Sequence, residues 1–186
     1  MKVICKYLLP IFLVSLICQS CGLSSRHLSN RAFLRHLSGL EYRIDNQVIQ
    51  LAKGKYMQKK APDATSEMVV ALSDWLVLGD LNGDRQADAA VILITNSGGN
   101  GKYYYLVPVL RQDNQHPLAL NAFFVGERIS IVSLNIEDQQ IDLVYLDREP
   151  GDSMATLPKI EIRRRFSIKS DTLAEIQLIQ DLYVKR

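Results

Sequence analysis

The sequence predicts an α+β fold that is mostly β: one N-terminal helix packed on a twisted antiparallel sheet or open barrel. Three observations lead there. Short apolar runs, many of them β-branched, recur between turn residues from about position 41 onward. A single helical spacing, Phe33, Leu34 and Leu37, precedes them. One acidic segment, VLGDLNGDRQADAAVILIT at 77–95, joins two of the runs, and no second copy occurs, so the several blades of a propeller are absent.

The chain of 186 residues begins with a short basic stretch, Lys2 to Lys6, and an apolar run over 7–18 that contains Pro10. A spanning helix needs about 20 apolar residues, so residues 1–20 read as a secretion signal. The run ends in Cys18-Gln19-Ser20-Cys21-Gly22. A small residue just before a cysteine at this place resembles a bacterial lipobox, which implies cleavage before Cys21 and a lipid on its thiol. Ordinary cleavage after Ser20, leaving a free thiol, is the alternative. Gly22, rather than Asp, in the second mature position implies an outer-membrane address facing the periplasm in a Gram-negative host. Residues 21–28 then form a lipidated tether and 29–186 one β-rich domain.

Cysteine usage agrees. Cys5, Cys18 and Cys21 all lie in or beside the signal, so the domain has none for an internal disulfide and relies on its core. Losing Lys2 and Lys6 leaves twenty basic side chains against twenty acidic. That balance gives no field that would attract nucleic acid.

Ser29 or Asn30 caps a helix to about Leu37, stopped by Ser38-Gly39. Its apolar positions suit a helix covering one end of a sheet. Strands follow over 41–44, 48–51 and 54–56, then a polar loop over 59–66. Residues 69–78 and 89–95 are strands on either side of the acidic loop. Trp75 suits a core position or a lid over the sheet.

Asp80, Asn82, Asp84 and Asp88 put side-chain oxygens at loop positions 1, 3, 5 and 9. A hard cation such as Ca²⁺ takes six to eight oxygens at roughly 2.3–2.6 Å. Arg85 and Val91 stand where an EF-hand has Gly and Glu. The loop resembles the acidic hairpin of FG-GAP and VCBS-type repeats, D-x-[DN]-x-D-G-x-x-D. That resemblance implies Ca²⁺ held by the side chains of Asp80, Asn82, Asp84 and Asp88 and by the carbonyl of Gln86. Arg85 departs from the pattern, and a positive φ there would carry a steric penalty. A turn whose Asp and Asn side chains bond their own backbone is the competing reading. Four segments, Asn30 to Tyr42, Gly79 to Val91 with the loop itself, Asn96 to Tyr105 and Pro150 to Met154, resemble a group of uncharacterised bacterial lipoproteins and periplasmic proteins.

Residues 96–102 make a glycine-rich hairpin turn; Asn96 and Tyr103 break the phosphate-loop pattern. Residues 102–110 form a strand with Tyr103 and Tyr105 on one face, Tyr104 on the other, and Pro108 favouring an edge or bulge. The tyrosine pair contacts a glycan or partner, or packs beside Trp75. Strands follow over 118–125, 129–136 and 141–146, then a long loop to 158. Over 159–169 the even positions are apolar except Arg164, which needs a partner. Asp147, Glu149 and Asp152 are the candidates; a small anionic-ligand patch at Arg163-Arg164-Arg165 is the alternative. Residues 173–182 read as strand or short helix.

These features point to a lipid-anchored envelope protein of interaction or structural type, with a Ca²⁺ loop and an envelope protein or glycan as partner. A small-molecule carrier with a pocket in the curved sheet, lined by Tyr103, Tyr105 and Trp75, is the alternative. A carboxylate-dependent hydrolase ranks below both, because no nucleophile or metal-protease motif occurs; no catalytic residue is assigned.

Overall fold

A computed structural model describes residues 30–59, 66–112 and 116–176. The signal segment, Cys21 and the tether lie outside the described residues, as do 60–65 of the polar loop and 177–186.

The domain is layered. Helix α1 (Asn30–Leu37) and a hairpin of β1 (Glu41–Ile44) and β2 (Gln47–Gln50) form the first layer. The second is a six-stranded antiparallel sheet: β3 (Lys55–Lys59), β4 (Glu67–Gly79), β5 (Asp88–Asn96) and β6 (Tyr103–Leu110), with β7 (Leu118–Ala119) and β8 (Phe123–Glu127) both pairing with β6. The third is a four-stranded sheet in the order β12 (Thr172–Ile176), β11 (Ile160–Lys169), β10 (Gln140–Asp147), β9 (Ser130–Glu137). The sheets do not close into a barrel.

Strand β5 shows why the sequence produces this arrangement. Its apolar run does not alternate with polar residues, because both faces are covered. Ala90 and Ile92 enter the core shared with the four-stranded sheet, beside Leu143 and Phe166. Ala89, Val91 and Leu93 enter a second core under the helix and hairpin, beside Phe33, Leu37, Tyr42 and Ile49. The buried Tyr42 hydroxyl donates to the Leu37 carbonyl at 2.9 Å, which satisfies one orphan acceptor at the helix end. Burial raises the Tyr42 pKa.

Three hairpins turn on two residues with positive φ and no glycine: Asp45-Asn46, Asp138-Gln139 and Ser170-Asp171. That conformation matches the twist of antiparallel strands. Pro108 sits inside β6 opposite Leu120, where the pair lacks only the return bond that a proline nitrogen cannot donate. Its carbonyl accepts from Leu120 N at 2.9 Å, so its nitrogen faces the stretch between β7 and β8 where the chain leaves the sheet.

Several expectations change. The strand expected over 118–125 is broken into β7 and β8, and residues 172–176 are strand. Trp75 is neither core nor lid: the β4–β5 register shifts between Leu72 and Leu76, and at this irregularity Trp75 stays 38 % exposed. Tyr103 and Tyr105 pack against Phe124, with ring centroids 6.4 and 5.4 Å away.

Candidate functional site

The acidic loop runs from the end of β4 to the start of β5. Its side chains first bond their own backbone. Asp80 Oδ1 accepts from the N–H groups of Asn82 (3.2 Å) and Gly83 (2.7 Å), and Oδ2 accepts from Arg85 N (2.9 Å). Asn82 Oδ1 accepts from Asp84 N at 3.0 Å, and Asp84 Oδ1 from Gln86 N at 2.7 Å. The Asn82 amide donates to Asp84 Oδ2 at 3.0 Å. Gly83 and Arg85 adopt φ of 85° and 66°, which turns successive N–H groups toward these oxygens.

Asp88 differs from the other three. It is fully buried, and it reaches two separated backbone segments. Its Oδ2 accepts from Leu81 N at 2.9 Å and its Oδ1 from Arg111 N at 2.8 Å. Burial raises its pKa; the two N–H donors oppose that rise, and the charges of Asp84 and Asp80 add to it. Leu81, 2 % exposed, plugs the core between the two sheets and anchors the loop. A lone leucine between acidic residues carries no periodicity, so nothing local in the sequence marks it as core.

The donor set is all oxygen, as a hard cation requires. It does not converge as a five-ligand site, because both oxygens of Asp88 face inward onto backbone N–H groups. Among the described residues no three His, Cys, Asp or Glu side chains gather as a metal cluster. The loop is a closed hydrogen-bonded turn as it stands. Asp80 Oδ1 already accepts two bonds, whereas Asp80 Oδ2, Asn82 Oδ1 and both Asp84 oxygens accept one each and keep a further lone pair with capacity for an ion.

Arg164 corrects a second expectation. It lies on the inner face of β11, but its partner is Glu175 on β12, not Asp147, Glu149 or Asp152. Glu175 is the register partner of Phe166, so it shares that inner face and sits diagonally across from Arg164. The pair is bidentate, with Nε 2.6 Å from Oε1 and Nη2 bonded to Oε2. The guanidinium lies 4.7 Å from the Phe123 ring centroid. The Arg164 hydrogen bond, ahead of opposing burial, lowers the Glu175 pKa.

The three expected partners close their own loop instead. Asp147 Oδ1 accepts from Arg148 N, Glu149 meets Lys159 at 3.3 Å, and Asp152 Oδ2 accepts from Glu149 N. Arg148 holds this loop down, donating to the carbonyls of Thr156 (2.7 Å) and Arg128 (3.1 Å). Arg165 pairs with Asp142 across the strands at 2.6 Å. With Arg164 and Arg165 both engaged by carboxylates, the arginine run is not an open anionic-ligand patch.

Fold and site together define a layered, β-rich domain whose acidic hairpin loop is clamped by a buried aspartate. No protein-family model, curated protein or solved structure matches this chain. Among the described residues no helix is long and apolar enough to cross a membrane.

Proposed function

We propose that this protein is a lipid-anchored component of a bacterial cell envelope that works by interaction with an envelope protein or glycan. The observation that carries the reading is the apolar run over 7–18 ending in Cys18-Gln19-Ser20-Cys21-Gly22, a few residues ahead of the helix that begins at Asn30. In a Gram-negative host, Gly22 favours the outer membrane, with the domain in the periplasm. Metabolic labelling with a palmitate analogue tests it. The parent should carry the label and fractionate with membranes, and Cys21→Ser should lose both properties. An unlabelled parent, or a labelled Cys21→Ser variant, would overturn the reading.

Ca²⁺ is a second reading, supported by the all-oxygen character of Asp80, Asn82, Asp84 and the Gln86 carbonyl. Thermal unfolding in Ca²⁺ and in EDTA tests it. At 100-fold excess over Kd, one site adds about 2.7 kcal/mol. Asp80→Ala and Asp84→Ala should abolish the shift. No shift in the parent would leave the loop as a hydrogen-bonded turn.

A further inference from the structure

A cleft of about 370 Å³ opens at the far end of β5 from the acidic loop, between the tip of the β1–β2 hairpin and the central sheet. Asp88 and Thr95 are seven residues apart on this strand, about 23 Å, so the two places are separate. Cleft volumes from about 300 Å³ upward suit small ligands.

Its lining combines aromatic surface with converging polar groups: Tyr103, Tyr105, Asp45, Gln47, Thr95 and Asn96 among others. Asp45 sits in the hairpin turn with φ of 46°, the left-handed conformation that a two-residue hairpin turn uses and aspartate tolerates. Its Oδ2 accepts from the Tyr105 hydroxyl at 2.6 Å. Burial, ahead of this bond, raises the Tyr105 pKa, so that hydroxyl remains a donor across the physiological range. The carboxylate is therefore oriented before any ligand arrives, and Oδ1 keeps its acceptor capacity. Gln47 adds an amide with both donors and an acceptor. Tyr103 is half-buried, and beside it the Phe124 ring is 48 % exposed.

We propose that this cleft binds a neutral saccharide unit, with the Asp45 carboxylate and Gln47 amide taking neighbouring hydroxyls and Tyr103 covering the apolar C–H face of the ring. The chemistry selects this class. A sugar ring presents one apolar face and a rim of groups that both donate and accept. The cleft offers an aromatic surface at one side and a fixed acceptor with an amide at another. An anionic ligand would meet Asp45, the only charged side chain lining the cleft among the described residues. A lipid tail would leave Asp45, Gln47 and Asn96 unmatched. Tyr105 is a positioning residue, acting through Asp45. The inference deepens the glycan reading above but does not depend on the anchor.

Saturation-transfer NMR on the full-length protein in mild detergent tests it. The probes are glucose, galactose, mannose and N-acetylglucosamine, each as monosaccharide and as a linear tetrasaccharide. Transfer to at least one probe is expected. Asp45→Asn and Tyr103→Ala should each weaken it at least tenfold, while Leu157→Ser, in an exposed loop, leaves it unchanged. Tyr105→Phe should weaken it through Asp45 while thermal unfolding reports a folded domain. Stronger transfer to a tetrasaccharide identifies a polymeric glycan as the source, and equal transfer a free sugar. Absence of transfer from every probe, survival in either Asp45→Asn or Tyr103→Ala, or loss in Leu157→Ser would overturn the proposal. Retained palmitate labelling alongside lost saccharide binding would count against the cleft alone.

Discussion

Asp88 and Arg111 join the first turn of the acidic loop to the far end of the next strand. The Arg111 N–H donates to Asp88 Oδ1 at 2.8 Å, and the Arg111 guanidinium continues to Asn30 Oδ1 at 3.0 Å, lying 4.3 Å from the Phe33 ring centroid. One residue thus connects the loop, the central sheet and the start of the helix. Asp88→Ala leaves two buried N–H groups without their acceptor. At about 1–3 kcal/mol for each such group, a loss of about 3 kcal/mol is expected, roughly 6–12 °C in Tm. A drop under 2 °C in calorimetry would refute the clamp.

The same carboxyl has a pH signature. Its pKa in the fold is raised by burial, so it binds a proton more tightly folded than unfolded. Its favourable contribution is full below the unfolded aspartate value of about 4 and is lost as pH rises through the raised value. Relative to Asp88→Asn, the parent should therefore lose stability as pH rises above about 4. Urea unfolding of both proteins across that range measures the difference.

Glu175 carries the opposite sign. Its pKa is lowered by Arg164, so its contribution is full above the unfolded glutamate value of about 4.3 and is lost as pH falls through the depressed value. The Arg164 and Glu175 side chains are 21 % and 38 % exposed, so solvent screening reduces the worth of the pair. Glu175→Gln should cost about 1 kcal/mol at pH 7, and the deficit should shrink toward pH 3. Arg164→Met with Glu175→Leu should recover most of it, since a well-packed apolar pair often replaces a half-buried ion pair. A double variant less stable than Glu175→Gln would show that the ion pair itself is required.

Arg85 has φ of 66°, where a side chain costs roughly 1–2 kcal/mol. Glycine removes that strain but adds freedom to the unfolded chain. Arg85→Gly should raise Tm by about 1–3 °C without Ca²⁺. An unchanged or lower Tm would mean that the Arg85 side chain contributes contacts of its own.

Gly79 ends β4 against β9. A Cβ there would lie 2.6 Å from Ile136 Cγ2, a distance that forces a shift. Gly79→Ala should cost about 1–3 kcal/mol, and less when made in an Ile136→Ala background, which removes the Cγ2 methyl that the new Cβ would meet. Failure of the second change to help would place the cost in the backbone.

Much of the fold was legible locally. The helix over Asn30–Leu37, the strand on each side of the acidic loop and the hairpin over Asp138-Gln139 follow from spacing, β-branching and turn residues within a few positions. The even apolar positions of β11 placed Arg164 inward. Its partner was not legible. Asp147, Glu149 and Asp152 are nearer in sequence, but β12 folds back beside β11 and brings Glu175 to the inner face. The cleft was legible in part: Tyr103 and Tyr105 line it and Trp75 does not, but Asp45 and Tyr105 are sixty residues apart, and only the docking of the hairpin on the sheet unites them.

The chain spells out its own elements, because periodicity and turn chemistry act over distances shorter than one strand. The spacing Asp80, Asn82, Asp84 left a Ca²⁺ loop and a turn bonded to its own backbone both open, and these side chains make the bonds of such a turn. Tertiary structure decided which carboxylate does what. Asp88 looks like a fourth ligand in the sequence, but burial at the start of β5 turns its oxygens to Leu81 and Arg111. The physical reason is the cost of a buried unpaired N–H. That cost depends on which distant backbone comes to lie beside Asp88, and no local pattern records it.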